Sequence, residues 1–547
     1  METIEAFADE TVFRNDENGY TVLRLRDGNG ESVTVVGCFP YAAPGESMII
    51  SGVWMNHSVH GRQFKAEFAQ RLLPTSAPAI YDYLAGGAVK GIGPATAALI
   101  VDRFGDKTLD VLESSPEKLA ELRGISLSKA KQMSKDFRHQ AGVRRIMEFV
   151  CSFGLRPILA MRMYRFYGDD ALELLRENPY ILATNHIGGR FSEADALALE
   201  MGLDGSSRNR INAACLFELK HNLNNGHCFI PREKLAAVTA ELINVETSEA
   251  EASIDELIET GQIIYEEIAG CKACYLPEIY EAETDAAEKF AKMCRRKFSE
   301  DVDIPKLIAR LERQQGIEYA PLQRQTLHLA LENQLVVITG GPGTGKTTSI
   351  RAILAMFDAI GIKTLLTAPT GRAAKRMTEL SGQEAVTVHR LLGAKFAEDG
   401  ERVVFTKDES DRLDCNAVIL DECSMVDITL IDALLRAMPD DARLVMVGDA
   451  DQLPPVGPGN VLRDVIASGV VPVIRLTDIF RQAERGMIVE NAHRINNGKQ
   501  PNLFANADDF LFGVQESVAG CAVAKHAVYG TRFGTGSFAH ALCGASR

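Results

Sequence analysis

The 547-residue sequence has no apolar run near the roughly 18 residues needed to cross a bilayer. Its first residues, Met1-Glu2-Thr3-Ile4-Glu5-Ala6, form neither a basic nor an apolar leader segment. Both absences argue against a membrane or exported protein and for a cytoplasmic one. Disulfide spacing is also missing. The 11 cysteines are scattered through a large chain without an export signal, as expected of reduced thiols. Cys271 and Cys274 stand at C-x-x-C spacing, but no second pair accompanies them. The flanking Ile263-Ile264-Tyr265 and Tyr275-Leu276 make that segment a hairpin rather than half a zinc site. An excess of positive charge is lacking too: the formal charge is −15, which disfavours a protein that binds phosphates over its whole surface. It leaves open a strand held in a channel by local cations such as Arg372, Lys375 and Arg376.

What is present implies several domains, since this length exceeds a single hydrophobic core. Residues 1–75 read as short strands (Tyr20 to Arg26, Val33 to Val36, Met48 to Val53, Gln63 to Phe68) with a turn at Asp27-Gly28-Asn29-Gly30, so a small OB-like β-barrel is expected. Residues 76–204 turn helical and glycine-punctuated. Val89-Lys90-Gly91-Ile92-Gly93-Pro94 precedes one helix, and Leu122-Arg123-Gly124-Ile125-Ser126 repeats the pattern about 33 residues on. A weaker copy is Ile187-Gly188-Gly189-Arg190-Phe191. Small residues there let turn amides face a phosphate, which marks tandem helix-hairpin-helix units with Gly91, Gly93 and Gly124 as candidate DNA contacts. Plain helix capping is the bland alternative. Residues 205–318 read as a helical connector that could include a winged helix.

From about residue 335, buried apolar strands alternate with helices: Leu335 to Thr339, Thr364 to Ala368, Ala417 to Leu420, Arg443 to Gly448 and Val473 to Leu476. This is the pattern of an open parallel α/β sheet with ligands at the carboxyl ends of its strands. The first strand runs into Gly340-Gly341-Pro342-Gly343-Thr344-Gly345-Lys346-Thr347-Thr348, a G-x-x-x-x-G-K-[ST] phosphate cradle in its required strand-loop-helix setting. Residues 341–348 are expected to hold ATP, with Lys346 on the β- and γ-phosphates and the Thr347 hydroxyl on Mg²⁺. Strand Ala417 to Leu420 delivers Asp421 and Glu422, the first expected at the metal and the second as general base. Gln452 follows the next strand, where its amide can sense the γ-phosphate, and Pro454-Pro455 behind it can carry the change elsewhere. Pro369 to Arg376, at another strand's carboxyl end, combines amides, a hydroxyl and cations suited to a nucleic-acid backbone.

These segments resemble motifs I, II and III of superfamily 1 helicases, and among them the RecD-like DNA helicases. Thr367-Ala368-Pro369-Thr370-Gly371-Arg372-Ala373-Ala374-Lys375-Arg376-Met377 is similar to that family's motif Ia. Thr387-Val388-His389-Arg390-Leu391-Leu392 is similar to its next DNA-contacting segment, and Pro321-Leu322-Gln323-Arg324-Gln325 to its Q motif. Arg475-Leu476-Thr477-Asp478-Ile479-Phe480-Arg481-Gln482-Ala483 is similar to motif IV. The barrel, hairpin repeats and motor together resemble the long-amino-terminus RecD-like helicases over about residues 1–512. The resemblance implies that Gln325 contacts adenine, that Pro369, Thr370 and His389 line the DNA strand, and that Arg481 is an arginine finger; Arg372 joins the DNA contacts through its charge at the strand end. It implies ATP-driven 5′ to 3′ translocation on single-stranded DNA and duplex ends with a 5′ overhang, in repair or recombination, without an obligate protein partner.

On this reading residues 319–470 are the first RecA-like motor domain and 471–512 begin a second. From about Gly513 the texture becomes rich in Ala, Gly and Ser with no sustained period, and 513–547 is expected to be a disordered scar of a shifted frame or truncation that impairs unwinding. A DNA-binding protein with a vestigial P-loop is the alternative. A GTPase or kinase is disfavoured, because no Asn-Lys-x-Asp guanine-reading motif occurs.

Overall fold

The computed structural model describes residues 2–14, 20–27, 30–38, 47–57, 61–72, 76–86, 89–299, 302–341, 343–396, 403–477, 487–496 and 498–502. The chain divides into two compact units, one built mainly from residues 1–213 and the other mainly from 214–395 and 403 onward.

The first unit opens with five strands, Glu2–Arg14, Tyr20–Asp27, Ser32–Cys38, Ser47–His57 and Gly61–Leu72, closed into a barrel in the order first, second, third, fifth, fourth. Alternation turns Leu23, Leu25, Val35, Met48, Ile50 and Phe64 inward and polar residues outward, as a half-solvated antiparallel sheet requires. The long first strand is absent from the sequence reading. Its inward residues are the small Ala6 and Ala8, and two register shifts, Ala8/Glu10 and Thr11/Phe13, break its period of two. Gly52 allows the fourth and fifth strands to meet at a bulge, where a Cβ would lie 2.1 Å from the Lys65 carbonyl oxygen.

The helical region that follows is a duplication. Helix Pro94–Phe104, Gly105 and helix Thr108–Ser114 recur 63 residues later as helix Pro157–Tyr167, Gly168 and helix Ala171–Glu177, with both linking glycines at positive φ (55° and 59°). Each copy carries two hairpins. Gly91 and Gly124 shape the first pair, at φ 88° and 91°, and Gly154 and Gly188 the second, at 70° and 73°. The Gly154 hairpin escaped the sequence reading, because Phe153-Gly154-Leu155-Arg156-Pro157 has an arginine where the first copy has Gly93.

In the second unit, helix Arg232–Ile243 and helix Thr247–Glu259 lie between strand Phe229–Pro231 and the hairpin Ile264–Ile268/Cys271–Tyr275. The three strands form one small sheet with Cys271–Tyr275 in the middle, a winged-helix arrangement. Cys274 lies inside that sheet, and burial pushes its thiol up to about 12, which suits a packed thiol rather than a metal thiolate.

The motor sheet has six parallel strands in the order Ala385–Thr387, Thr364–Ala368, Ala417–Leu420, Arg443–Gly448, Leu335–Gly340, Val473–Leu476. Its central strands are buried on both faces, hence their unbroken apolar runs. Helices Ile304–Gln315, Pro321–Glu332 and Lys346–Ala359 cover one face through Leu307, Leu327, Ile353 and Phe357. One boundary needs correction. Strand Val473–Leu476, assigned above to a second motor domain, pairs in parallel with Leu335–Gly340, from Val473 opposite Val337 to Leu476 opposite Gly340. It is the edge of the first sheet, so the boundary at 470/471 falls too early. Gly340 allows the close pairing, since a Cβ there would sit 2.7 Å from the Leu476 carbonyl oxygen.

Candidate nucleotide and nucleic-acid site

The carboxyl ends of three adjacent strands bring the sequence-predicted groups together. Gly341, Gly343, Gly345, Lys346, Thr347, Thr348, Asp421, Glu422 and Gln452 line one cleft of about 440 Å³, between the P-loop helix Lys346–Ala359 and helix Gly371–Ser381. Gly343 and Gly345 take φ of 83° and 87°, which turns the loop so that its amides and the helix amino terminus face the cleft. Thr344 Oγ1 donates to the Gly341 carbonyl at 2.9 Å and braces the loop. Lys346 Nζ donates to the carbonyls of Gly340 and Gly341 on the same loop, the latter at 3.1 Å.

Across the cleft, Asp421 Oδ1 accepts the Glu422 N–H at 2.9 Å. Burial raises the Asp421 carboxyl to about 6, with the neighbouring Glu422 charge adding to the rise; the Glu422 amide, Lys346 and Arg376 oppose it. With the Thr347 hydroxyl, the Asp421 carboxylate offers the hard oxygen donors that suit Mg²⁺. Glu422 has φ 53° and ψ 41°, left-handed backbone in a residue with a side chain. Such backbone costs about 1–2 kcal/mol. The turn that follows packs closely on the adjacent strand: a Cβ on Gly448 would lie 3.2 Å from the amide nitrogens of Cys423 and Ser424. Ser424 Oγ and Gln452 Oε1 lie 3.3 Å apart, linking the carboxylate turn to the predicted γ-phosphate sensor.

One assigned residue stands apart from this cleft. Gln325 is exposed on helix Pro321–Glu332 and outside the cleft lining, whereas Gln323 is buried and its Oε1 accepts the Ala320 N–H at 3.1 Å. Arg481 and Pro342 lie outside the described residues, as does the tail from residue 513. The predicted DNA contacts of the motor gather at the carboxyl ends of the neighbouring strands Thr364–Ala368 and Ala385–Thr387. Thr370 Oγ1 caps helix Gly371–Ser381 through the Ala373 N–H, Thr387 Oγ1 caps the next short helix through Arg390 N–H, and Arg372 and His389 are exposed beside them. The cation cluster Arg372, Lys375, Arg376 does not act as a unit: Arg376 lines the nucleotide cleft and Arg372 and Lys375 do not.

The two hairpin pairs also differ. A Cβ at Gly93, at Gly124 or at Gly154 of the second pair would meet nothing within 4 Å, but only beside the first pair's turns do Lys90, Arg123 and Lys129 stand exposed. In the second pair Arg156 bridges the hairpins, donating to both carboxylate oxygens of Glu193 at 2.9 and 3.0 Å and to the Gly188 carbonyl at 3.3 Å. Glu193 accepts the Arg190 N–H at 2.8 Å, the kind of group that a phosphate would otherwise take. Burial would raise the Glu193 carboxyl, but the Arg156 guanidinium and the Arg190 amide hold it below its ordinary range.

Sequence reasoning missed a joint behind Gln452. The loop Asp451–Asn460 docks on the winged-helix domain, where the Gly459 N–H donates to the Gly226 carbonyl at 3.1 Å. A Cβ on Gly459 would lie 3.3 Å from Cys228 Sγ, and one on Gly457 would lie 2.0 Å from Asp427 Oδ2. Beneath the joint Asp464 is 2% exposed with Oδ1 unpartnered, next to buried Glu283. Burial first, then the Glu283 charge, raises the Asp464 carboxyl to about 8; the Asn460 amide and Arg463 oppose this. Cys228 is raised by burial and by Glu283, and Asp427 also faces it. A raised folded-state value means that Asp464 supplies stability in full below its unfolded value and loses it as pH rises through about 8. Thermal melts should therefore show Asp464→Asn gaining a few degrees over the parent at pH 9, by roughly 1–2 kcal/mol, with a clearly smaller gain at pH 5. An equal difference at both pH values would reject this account.

Four family matches run along the chain. Residues 1–74 match the OB-fold domain of ATP-dependent DNA helicase YrrC, 86–138 a SAM-like helix-hairpin-helix tandem, 139–229 the helix-hairpin-helix domain of ATP-dependent RecD2 DNA helicase, and 323–458 an AAA domain. The chain is 30% identical over 515 residues to the ATP-dependent RecD2 DNA helicase of Deinococcus radiodurans, covering 89% of this chain and 69% of that protein. It is 41% identical over 167 residues to the RecBCD enzyme subunit RecD of Mycobacterium tuberculosis, 26% of this chain and 28% of that one. Over 127 residues it is 39% identical to the ATP-dependent DNA helicase dda of phage T4, 23% and 29% respectively.

Proposed function

Since the chain belongs to the RecD2 family of ATP-dependent DNA helicases, we propose that it couples ATP hydrolysis in the Lys346 cleft to 5′ to 3′ movement along single-stranded DNA, in repair or recombination. The observation that carries this reading is the convergence of Lys346, Asp421, Glu422 and Gln452 from adjacent strands into one cleft, with Pro369, Thr370 and His389 at the next strand ends of the same sheet. A phosphate cradle alone would not supply that order.

In this reading residues 341–348 cradle the triphosphate, and Lys346 leaves its own loop carbonyls for the β- and γ-phosphates. Thr347 and Asp421 would hold Mg²⁺, which supplies charge neutralisation at the phosphate oxygens. Glu422 takes the proton of the attacking water, and its left-handed backbone fixes where that carboxylate points. Gln452 loses its γ-phosphate partner on hydrolysis, and Ser424 passes the change back to the Glu422 turn. Gln325 toward adenine and Arg481 toward the γ-phosphate complete the assignment. The first hairpin pair, with Lys90, Arg123 and Lys129 exposed beside its turns, grips the DNA backbone through Gly91, Gly93 and Gly124; the second, bridged by Arg156 and Glu193, serves as its scaffold.

ATPase rates of the purified chain with single-stranded DNA, blunt duplex and RNA test the proposal. Single-stranded DNA should stimulate most, and a duplex with a 5′ tail should be opened in preference to one with a 3′ tail. Equal rates with and without DNA would favour a DNA-binding protein whose P-loop has become uncoupled, and preference for a 3′ tail would reverse the direction.

A further inference from the structure

Arg376 stands in a place that none of the assigned roles explains. Helix Gly371–Ser381 turns one stripe, Ala373, Arg376, Met377 and Leu380, into the nucleotide cleft, opposite Thr347, Ile350 and Arg351 of the P-loop helix. The stripe follows the three- and four-residue spacing of a helix face. Lys375 lies off it and pairs with Glu379 at 3.9 Å. Among the described residues Arg376 makes no hydrogen bond or ion pair, although it shares the cleft with Lys346, Asp421 and Glu422. A guanidinium at a phosphate cradle that feels the Asp421 charge but makes no hydrogen bond of its own among the described residues is free to fork onto phosphate oxygens. The helix that carries it is anchored lightly, with only Ala374 and Met377 buried. Its amino terminus is Thr370, and Arg372 lies four residues, about 6 Å along the axis, before Arg376.

We propose that Arg376 is a nucleotide contact, a second cation on the phosphate chain beside Lys346, and that helix Gly371–Ser381 acts as a short lever. A DNA phosphate engaging Thr370 and Arg372 at one end sets the position of Arg376 at the other. This rests on the helicase reading above for the DNA at Thr370 and Arg372, whereas the contact between Arg376 and nucleotide rests on the cleft alone. It gives single-stranded DNA a direct route to the hydrolysis rate within one motor domain.

The test uses the full chain with Arg376→Gln, Arg376→Lys and Arg372→Gln, since both positions are exposed and the changes leave the core untouched. At saturating single-stranded DNA, Arg376→Gln should lower kcat about a hundredfold and weaken a fluorescent ATP analogue about tenfold. Its nucleotide-free DNA affinity should stay within about twofold. Arg376→Lys should recover part of the analogue affinity, because the charge returns without the fork. Arg372→Gln should lose DNA affinity and, with one end of the lever released, part of the DNA-stimulated kcat, while binding the ATP analogue without DNA as the parent does. If Arg376→Gln instead lost DNA affinity with unchanged ATP kinetics, or changed neither, the proposal would be overturned. Parent protein without any DNA-stimulated ATPase would overturn the lever and the helicase reading together, and the analogue affinity would still decide the nucleotide contact.

Discussion

Replacing Lys346 by alanine is expected to abolish ATP turnover, lowering kcat/KM on the order of 10³-fold or more, while single-stranded DNA binding without nucleotide stays within a few-fold of the parent. The loop should keep its shape. Gly343 and Gly345 set its turns and Thr344 braces it through the Gly341 carbonyl, whereas the lysine contributes only bonds from Nζ to two loop carbonyls. What disappears is the cation that the β- and γ-phosphates need when they enter a cleft that already holds two carboxyl groups. Steady-state ATPase measured beside fluorescence anisotropy on a labelled oligonucleotide separates the two effects. A residual rate within tenfold of the parent would remove Lys346 from the mechanism.

Glu422→Gln carries the second large effect, a fall in kcat of roughly 10²- to 10⁴-fold with nucleotide affinity retained. The substituted amide fills the same space and keeps the same left-handed backbone, so stability should move by less than about 0.5 kcal/mol. Glu422→Gly makes the informative companion. Glycine adopts φ near 53° without strain, so this variant should be equally inactive yet lose little or no stability, the relief of about 1 kcal/mol offsetting the lost side chain. Rapid-quench ATPase and chemical denaturation of the three proteins measure both arms. An active Glu422→Gln would transfer the role of base to another group of the cleft.

Most of the motor was legible in the sequence. Strands buried on both faces must be apolar throughout, and such runs with glycine-rich or acidic ends announce both the sheet and its reactive edge; the five strands read between Leu335 and Leu476 fall within one residue of their observed ends. The sixth, Ala385–Thr387, is three residues long and only half-buried, too short for any period to show. The first barrel strand was missed because bulges and small inward residues erase its alternation. The Gly154 hairpin hid behind an arginine that replaces a glycine. At the site, residue types at strand ends gave Lys346, Asp421, Glu422 and Gln452, because each follows a recognisable run. Arg376 was grouped with Arg372 and Lys375 for its charge alone, since one-dimensional proximity does not say which side of a helix a residue occupies. The backbone strain at Glu422 and the partnering of Gly459 with Gly226 depend on packing between distant segments and leave no local trace.

The seat of the Gln452 loop on the winged-helix domain bears on how this protein can be taken apart. The Gly459–Gly226 bond, the close fit of Gly459 against Cys228 and the burial of Asp464 beside Glu283 make residues 226–283 a wall of the motor rather than a spacer before it. A fragment cut at the start of the P-loop domain would expose Cys228's seat and free an acidic side chain that the fold keeps covered. Domain exchange between relatives meets the same constraint: the connector and the Gln452 loop have to be inherited as one cassette.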